Sequence, residues 1–198
     1  TRLTWNRNGT GRLDGFPFSL RDSRRLDRAS LRSEWSYQSG ERMVFKGGFE
    51  AKTDDANYDY ALSHQRTGVN NGVQVVLTES TLERLAPAGS AVGAFSAVKA
   101  RPFPSLVIEP GLRFDRHNPT GEVEWNPRLN AALTIGRATV RAAWGEYSQA
   151  QGLHELSVAD GERTYGRAER AEHRVLGVER PLTDRIALRI EAYVRTAS

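Results

Sequence analysis

The histidines, whose side chains could carry metal or acid–base chemistry, are few and widely separated in this chain of 198 residues. The histidines are His64, His117, His154 and His173, and no two of them have the spacing of a His-Glu-x-x-His metal site. Cysteine is absent, which removes thiolate nucleophiles and disulfides. Ser157 does not lie in the Gly-x-Ser-x-Gly sequence that presents a nucleophilic serine. The sequence therefore predicts no catalytic residue, no metal site and no cofactor.

Arginine supplies most of the charge. The formal net charge is +4 and the pI is near 9.7, while the only lysines are Lys46, Lys52 and Lys99. A basic protein can bind nucleic acid, but here the arginines are spread along the chain and no nucleic-acid motif appears. We therefore expect no nucleic-acid partner. Lining of a polar lumen and attraction to anionic lipid headgroups are the local roles that this charge suggests.

Apolar and polar residues alternate through repeated segments of about ten residues, which gives an extended strand one apolar and one polar face. Residues 106–115 show this pattern, and residues 125–135 repeat it. A transmembrane helix would need about 20 mainly apolar residues, and the longest stretch without a charge, residues 85–98, is too short for one. Repeated amphipathic strands joined alternately by short and long connections are typical of a transmembrane β-barrel.

The pattern predicts an all-β, antiparallel up-and-down transmembrane β-barrel segment of about nine strands, which is an incomplete barrel. The predicted strands are residues 1–7, 27–38, 42–52, 91–101, 106–115, 125–135, 138–148, 168–180 and 185–195. Tight turns are predicted at 39–41, 102–105, 136–137 and 181–184, where glycine and proline fall. Long loops are predicted at 8–26, 53–90, 116–124 and 149–167, with a turn or small hairpin at 70–72. We expect the long loops outside the cell and the tight turns in the periplasm.

Polar residues in the middle of the predicted strands, most of them charged, are candidates for the face that lines the lumen. They are Arg113, Arg128, Asn130, Arg141, Arg189 and Glu191. They could contact a plug or an anionic ligand, or they could pair across strands and hold the register. Gly111, Gly145 and Gly177 are predicted on the same face, where a missing side chain leaves room.

Two further sets of residues take their roles from the predicted connections. Candidates for ligand contact in the extracellular loops are His117, His154, Glu155 and Asp160, with simple loop packing as the alternative. Aromatic residues predicted at the two membrane interfaces are Trp35 and Tyr37 beside a short turn, and Trp125 and Trp144 beside long loops. A soluble antiparallel sandwich remains the alternative to a membrane barrel.

From about residue 27 onward the chain resembles the barrel of a TonB-dependent outer-membrane receptor. The resemblance is carried by GLRFD at 111–115, WNPRLN at 125–130, RAAWGEYSQ at 141–149, HEL at 154–156, AERAEH at 168–173 and VLGVE at 175–179. The order and spacing of these blocks make the combination specific. The resemblance implies a location in the bacterial outer membrane and no enzymatic activity.

The resemblance also implies partners. Receptors of this family close a barrel of about 22 strands around an N-terminal plug domain. We therefore expect residues 1–198 to be one partial barrel domain and an interior piece of a longer protein. The implied partners are outer-membrane lipid, the plug domain of the full-length chain, the TonB complex and a small ligand such as a ferric siderophore. A passive porin and an outer-membrane barrel enzyme are the alternative functions.

Overall fold

The computed structural model describes residues 5–6, 9–15, 18–70 and 73–198, and this part of the chain is almost entirely strand. The strands are β1 (Trp5–Asn6), β2 (Gly9–Gly15), β3 (Phe18–Ser39), β4 (Met43–Asn70), β5 (Val73–Leu85), β6 (Ala88–Phe103), β7 (Leu106–His117), β8 (Glu122–Ile135), β9 (Ala138–Gln149), β10 (Glu169–Pro181) and β11 (Ala187–Ala197). One turn of 3-10 helix lies at Val158–Asp160. Within the described ranges, no helix has the length and apolar character needed to cross a membrane.

The strands form one sheet in the order β1-β3-β4-β6-β7-β8-β9-β10-β11. Every register defined along this path is antiparallel. Strand β2 pairs with β3 and strand β5 pairs with β4, both beside the main path. The nine strands of the path confirm the predicted up-and-down order. Among the described residues no pairing joins β11 back to the first strands, so the sheet is an incomplete barrel.

Two of the predicted long loops are wrong, because their residues are mostly strand. Residues 8–26 contain β2 and the first part of β3, and residues 53–90 contain most of β4, all of β5 and the start of β6. In β4 the side chains of Asp54, Ala56, Tyr58 and Tyr60 are buried and alternate with exposed neighbours. The buried row begins with an aspartate, and further charges flank it. Because charged residues lie on both faces of this strand, the sequence does not show the alternation of apolar and polar residues that predicts a strand.

The remaining connections divide between confirmed and corrected predictions. The tight turns fall where predicted, and Gly136 has a φ of 58°, a left-handed conformation that suits a two-residue hairpin. Residues 118–121 form a four-residue turn and not a long loop, because β7 and β8 continue to the pair His117–Glu122. The long loop between β9 and β10 is confirmed at residues 150–168. Of the predicted turn at 70–72, residues 71–72 lie outside the described residues, although Asn70 pairs with Val73 in a hairpin much longer than expected.

The chain divides into two compact units. The first unit comprises residues 1–30, 52–90 and 151–166, and the second comprises residues 31–51, 91–150 and 167–198. The first unit contains a buried apolar cluster of Leu26, Ala56, Tyr58, Tyr60, Leu153, Leu156 and Val158. In the second unit, by contrast, most of the large apolar side chains of the strands are exposed. The first unit therefore buries a cluster of apolar side chains, whereas the second unit exposes most of its large apolar side chains.

Candidate functional site: two faces of one sheet

Strand register in the second unit separates an apolar face from a charged face. Leu129 of β8 lies opposite Pro110 of β7 and Trp144 of β9, and cross-strand partners share a face. Following these pairs from β7 to β11 gives one continuous apolar face, with members Leu112, Phe114, Trp125, Leu129, Leu133, Val140, Trp144, Leu176, Val178 and Ile190. Leu129 is 46% exposed and Ile190 is 63% exposed. An apolar surface of this extent is costly in water and is suited to lipid.

The opposite face carries all six residues predicted to face a lumen. Arg128 lies opposite Gly111 and Gly145, Asn130 lies opposite Glu109 and Ala143, and Arg141 lies opposite Ala132 and Gly177. The same face continues through Gly177–Glu191 and Glu179–Arg189 in β10 and β11, and through Arg113–Asn126 in β7 and β8. The structure therefore brings Arg113, Arg128, Asn130, Arg141, Arg189 and Glu191 onto one surface. That this surface lines a lumen stays a prediction.

A first groove of about 400 Å³ lies on the charged face. Its charged lining consists of three cations and three carboxylates: Lys99, Arg141, Arg189, Glu109, Glu179 and Glu191. Arg189 and Glu191 are 2.6 Å apart in β11, and Arg141 of β9 is 3.6 Å from Glu179 of β10. These pairs are more than a third exposed, so each stabilises the sheet by less than about 1 kcal/mol. The pairing supports a register-holding role without removing the groove's capacity to bind a charged group.

A second groove of about 280 Å³ lies beside Asn130 and Glu109, which line both grooves. Its charged lining is Arg32, Lys46, Arg113, Arg128, Glu34 and Glu109, an excess of two positive charges. The Lys46 ammonium is 2.9 Å from Glu109, and Arg32 pairs with Glu34. Arg113 donates two hydrogen bonds, of 2.7 and 2.6 Å, to Asp115. Arg128 is therefore the one cation of this lining for which the described residues show no ion pair, and it is the group to which an anion could bind in this groove.

An aromatic cluster on the charged face was missed by sequence reasoning. The rings of Tyr147 and His173 have centroids 4.5 Å apart, and Tyr193 lies edge-on to His173 at 5.5 Å. The Arg128 guanidinium lies over the Tyr147 ring at 4.6 Å, a cation–π contact. Gly145 makes room for both side chains, since a Cβ there would lie 3.2 Å from Arg128 Cγ. Each of these aromatic residues lies on the polar face predicted for its strand, and this shared face is the sequence signal that could have predicted the cluster.

The candidates predicted for the extracellular loops are not brought together as a ligand site. His117 is the last residue of β7, opposite Glu122, so its placement in a loop was wrong. The Glu155 carboxylate accepts a hydrogen bond of 2.6 Å from Gly152 N, and His154 lies 3.8 Å from the same carboxylate. Asp160 is exposed in the 3-10 turn. Across the described part of the chain, no group of three His, Asp or Glu side chains could hold a metal ion. The geometry fits loop packing.

Loop residues 151–166 are anchored within the first unit by two tyrosines. The Tyr58 hydroxyl donates a hydrogen bond of 2.6 Å to the Leu153 carbonyl and accepts one of 3.2 Å from Leu156 N. The Tyr165 hydroxyl donates to the same carbonyl at 2.9 Å. Burial, followed by the neighbouring Tyr58, raises the pKa of Tyr165 above its ordinary value. The Tyr165 phenol is therefore a neutral donor at physiological pH, and the two hydroxyl groups hold this loop in a defined conformation.

The predicted interfacial aromatics lie in the second unit on exposed positions. Trp35 is 59% exposed and Tyr37 is 64% exposed, close to the turn at 40–42. Trp125 is 57% exposed at the other end of its hairpin, near 118–121. Trp144 is 36% exposed and its indole N–H donates a hydrogen bond of 2.7 Å to Glu172. A membrane interface at these two levels remains a prediction.

Solved structures similar to this chain are bacterial outer-membrane transporters and receptors. The siderophore receptor PirA from Pseudomonas aeruginosa is 18% identical with a TM-score of 0.51, over 94% of this chain and 50% of that one. The outer-membrane transporter YddB from Escherichia coli is 12% identical with a TM-score of 0.63, over 89% of this chain and 26% of that one. The RagAB peptide importer is 12% identical with a TM-score of 0.52, over 93% and 25%. No family model and no curated protein matches the sequence.

These similarities establish the fold. At identities of 12% to 18%, the chain shares the barrel architecture of outer-membrane transporters, and that architecture is the one used by proteins of the bacterial outer membrane. The chain spans half or less of the length of the solved structures that it matches. One of these proteins is named a siderophore receptor and another a peptide importer, so the shared fold leaves the ligand open.

Proposed function

We propose that this chain, which has the barrel fold of TonB-dependent outer-membrane receptors, forms part of the barrel of an energy-coupled receptor that imports a small scarce ligand such as a ferric siderophore. One observation carries the proposal: the same strands place an exposed apolar face on one side and grooved, charged surface on the other. A transmembrane receptor barrel needs lipid contact outside and a polar interior inside. In this proposal residues 1–198 are one partial barrel domain, whose charged face meets the plug domain and the passing ligand.

The charge on that face favours an anionic ligand. The second groove has two more cations than carboxylates, and Arg128 in it is braced by the Tyr147 ring. A fixed guanidinium binds carboxylates or catecholate oxygens with charge-assisted hydrogen bonds. An anionic ferric chelate combines negative charge with planar ligand groups, so it suits both the arginine and the aromatic cluster. Capture by the outer loops and energy input through TonB complete the proposed cycle.

Uptake in whole cells tests this function. Cells that lack the gene are complemented with the complete protein and supplied with a panel of iron-loaded siderophores, with and without a protonophore. We expect saturable uptake of one chelate that the protonophore abolishes. Replacing Arg128 with alanine should lower that uptake about tenfold, the effect of losing one charge-assisted hydrogen bond. Arg174→Ala removes the same charge from the opposite face and should leave uptake unchanged.

Other outcomes identify the alternative functions. Uptake that rises linearly with concentration and ignores the protonophore would show a passive porin. A chemically altered substrate in the medium would show a barrel enzyme. If the Arg128 and Arg174 substitutions lowered uptake equally, the ligand would not pass along the charged face.

A further inference from the structure

Five exposed arginines of the second unit lie in the short connections or at the strand ends beside them, and the proposed transport does not use them. We define the arginine row as Arg42, Arg101, Arg137, Arg180 and Arg185. Three of them lie in the connections β3–β4, β8–β9 and β10–β11, namely Arg42, Arg137 and Arg185, while Arg101 and Arg180 lie within two residues of the ends of β6 and β10. Arg101 N donates a hydrogen bond of 2.8 Å to the Arg42 carbonyl, so the first two are direct neighbours. The row therefore follows one end of the sheet.

The row is distinguished by its lack of carboxylate partners. Most other arginines with described side chains form ion pairs, as Arg28 does with Asp54 and Arg113 does with Asp115. Among the described residues, no ion pair involves a member of the arginine row. The four short connections contain only two carboxylates, Glu41 and Asp184. Five unneutralised guanidinium groups at one end create a local anion-binding surface.

Exposed apolar side chains adjoin these arginines. Phe103 is 62% exposed, Ile135 is 60% exposed and Ile186 is 58% exposed, each within two residues of a member of the row. A soluble polyanion would satisfy the arginines but would leave these apolar side chains in water. An anionic lipid satisfies both, because its acyl chains cover apolar side chains while its phosphate accepts hydrogen bonds from guanidinium.

We propose that the arginine row binds the phosphate groups of anionic glycerophospholipids in the leaflet that meets the short connections. The proposal rests on the membrane location in the proposed function and adds a specific lipid partner. Arginine suits this role because its planar fork binds two phosphate oxygens together and stays charged at any physiological pH. Anionic lipid is then enriched around this end relative to the bulk bilayer.

Trp35 provides the reporter, since it is 59% exposed and lies a few residues from Arg42. The complete protein is reconstituted in phosphatidylcholine nanodiscs that contain brominated phosphatidylglycerol or, at equal mole fraction, brominated phosphatidylcholine. Trp35 emission is obtained as the difference between the protein and its Trp35→Phe variant. We expect about twofold stronger quenching by the brominated anionic lipid, and we expect salt to weaken the difference.

A charge-matched pair of variants isolates the row. We expect equal quenching of Trp35 by the two brominated lipids in a variant that combines Arg42→Gln, Arg101→Gln and Arg137→Gln. The control carries Arg21→Gln, Arg66→Gln and Arg84→Gln in the first unit, which removes the same charge from exposed positions and should keep the difference. Loss of the preference in both variants would reduce the effect to net charge and overturn the proposal.

Quenching of the wild-type protein distinguishes a failure of the lipid preference from a failure of the proposed function. Equal quenching by both brominated lipids would overturn the lipid preference while leaving the membrane barrel intact. Absence of quenching by either lipid would show that Trp35 does not meet acyl chains, which would contradict the proposed function itself.

Discussion

Leu129→Arg should destabilise the barrel strongly because it places a charge in the middle of the apolar face. Leu129 lies between Pro110 and Trp144 and is 46% exposed. In β8, Glu122–Ile135, seven residues precede it and six follow it, so it lies at the strand's midpoint. An arginine facing lipid at the bilayer midplane costs about 2–4 kcal/mol. That cost lowers the folding equilibrium constant roughly 30- to 700-fold.

Asn130→Arg is the matched control, since residue 130 has nearly the same depth on the opposite face. Asn130 lies opposite Glu109 and lines both grooves, so an added guanidinium finds a carboxylate and open space. We expect a cost below about 1 kcal/mol there. Leu133→Arg, four residues nearer the turn, should cost less than Leu129→Arg because the penalty falls toward the interface.

The measurement is reversible urea unfolding of the complete barrel in liposomes, followed by tryptophan fluorescence. Each variant's free energy of unfolding is compared with that of the unchanged protein. Equal costs for Leu129→Arg and Asn130→Arg would refute the assignment of faces. A Leu133→Arg cost equal to that at residue 129 would indicate an apolar face covered by protein, because only lipid imposes a graded dependence on depth.

Three further predictions concern the loops. Asp160→Cys should react with an impermeant thiol reagent on whole cells, whereas Glu41→Cys should not, because long loops are expected outside and short turns inside. Tyr58→Phe should free residues 151–166, since Leu156 N loses its buried acceptor at a cost of about 1–3 kcal/mol, and hydrogen exchange of the loop amides should rise accordingly. The folded-state pKa of Tyr165 is raised, so Tyr165 contributes fully to stability below about pH 10, the ordinary pKa of a tyrosine. That contribution is lost as the pH rises further. Absorbance at 295 nm reports the ionisation of the tyrosine, and denaturant unfolding at each pH reports the stability.

Each of these predictions has a control. Residue 41 is a better cysteine site than the neighbouring Gly40, because Gly40 has a φ of 64° that a cysteine would adopt only with strain. Comparable labelling of residues 41 and 160 would reverse the topology. Tyr60→Phe alters a buried tyrosine of the same strand and should leave exchange in the loop unchanged. A Tyr165→Phe variant with the same stability profile above pH 10 would remove Tyr165 as the cause.

The local pattern of the sequence was sufficient for the strands of the second unit. In β7 and β8 apolar and polar residues alternate over most of the strand, so the period of two assigns both the strand and the face of residues such as Arg113 and Leu129. Glycine and proline marked the short turns, as at Gly136, since their backbone preferences act within a few residues. The face shared by the six polar candidates followed from the same alternation.

The tertiary structure determines which side chains are neighbours, and the alternation along a single strand cannot predict this. Ala56, Tyr58 and Tyr60 belong to one buried cluster because loop residues nearly a hundred positions later, such as Leu156, pack against them. The cluster of Tyr147, His173 and Tyr193 depends on the register of three strands, which no single segment encodes. Its ring contacts and the lining of both grooves arise from residues far apart in the chain. Alternation fixes the face on which a side chain lies, whereas its neighbours are set by pairing between strands.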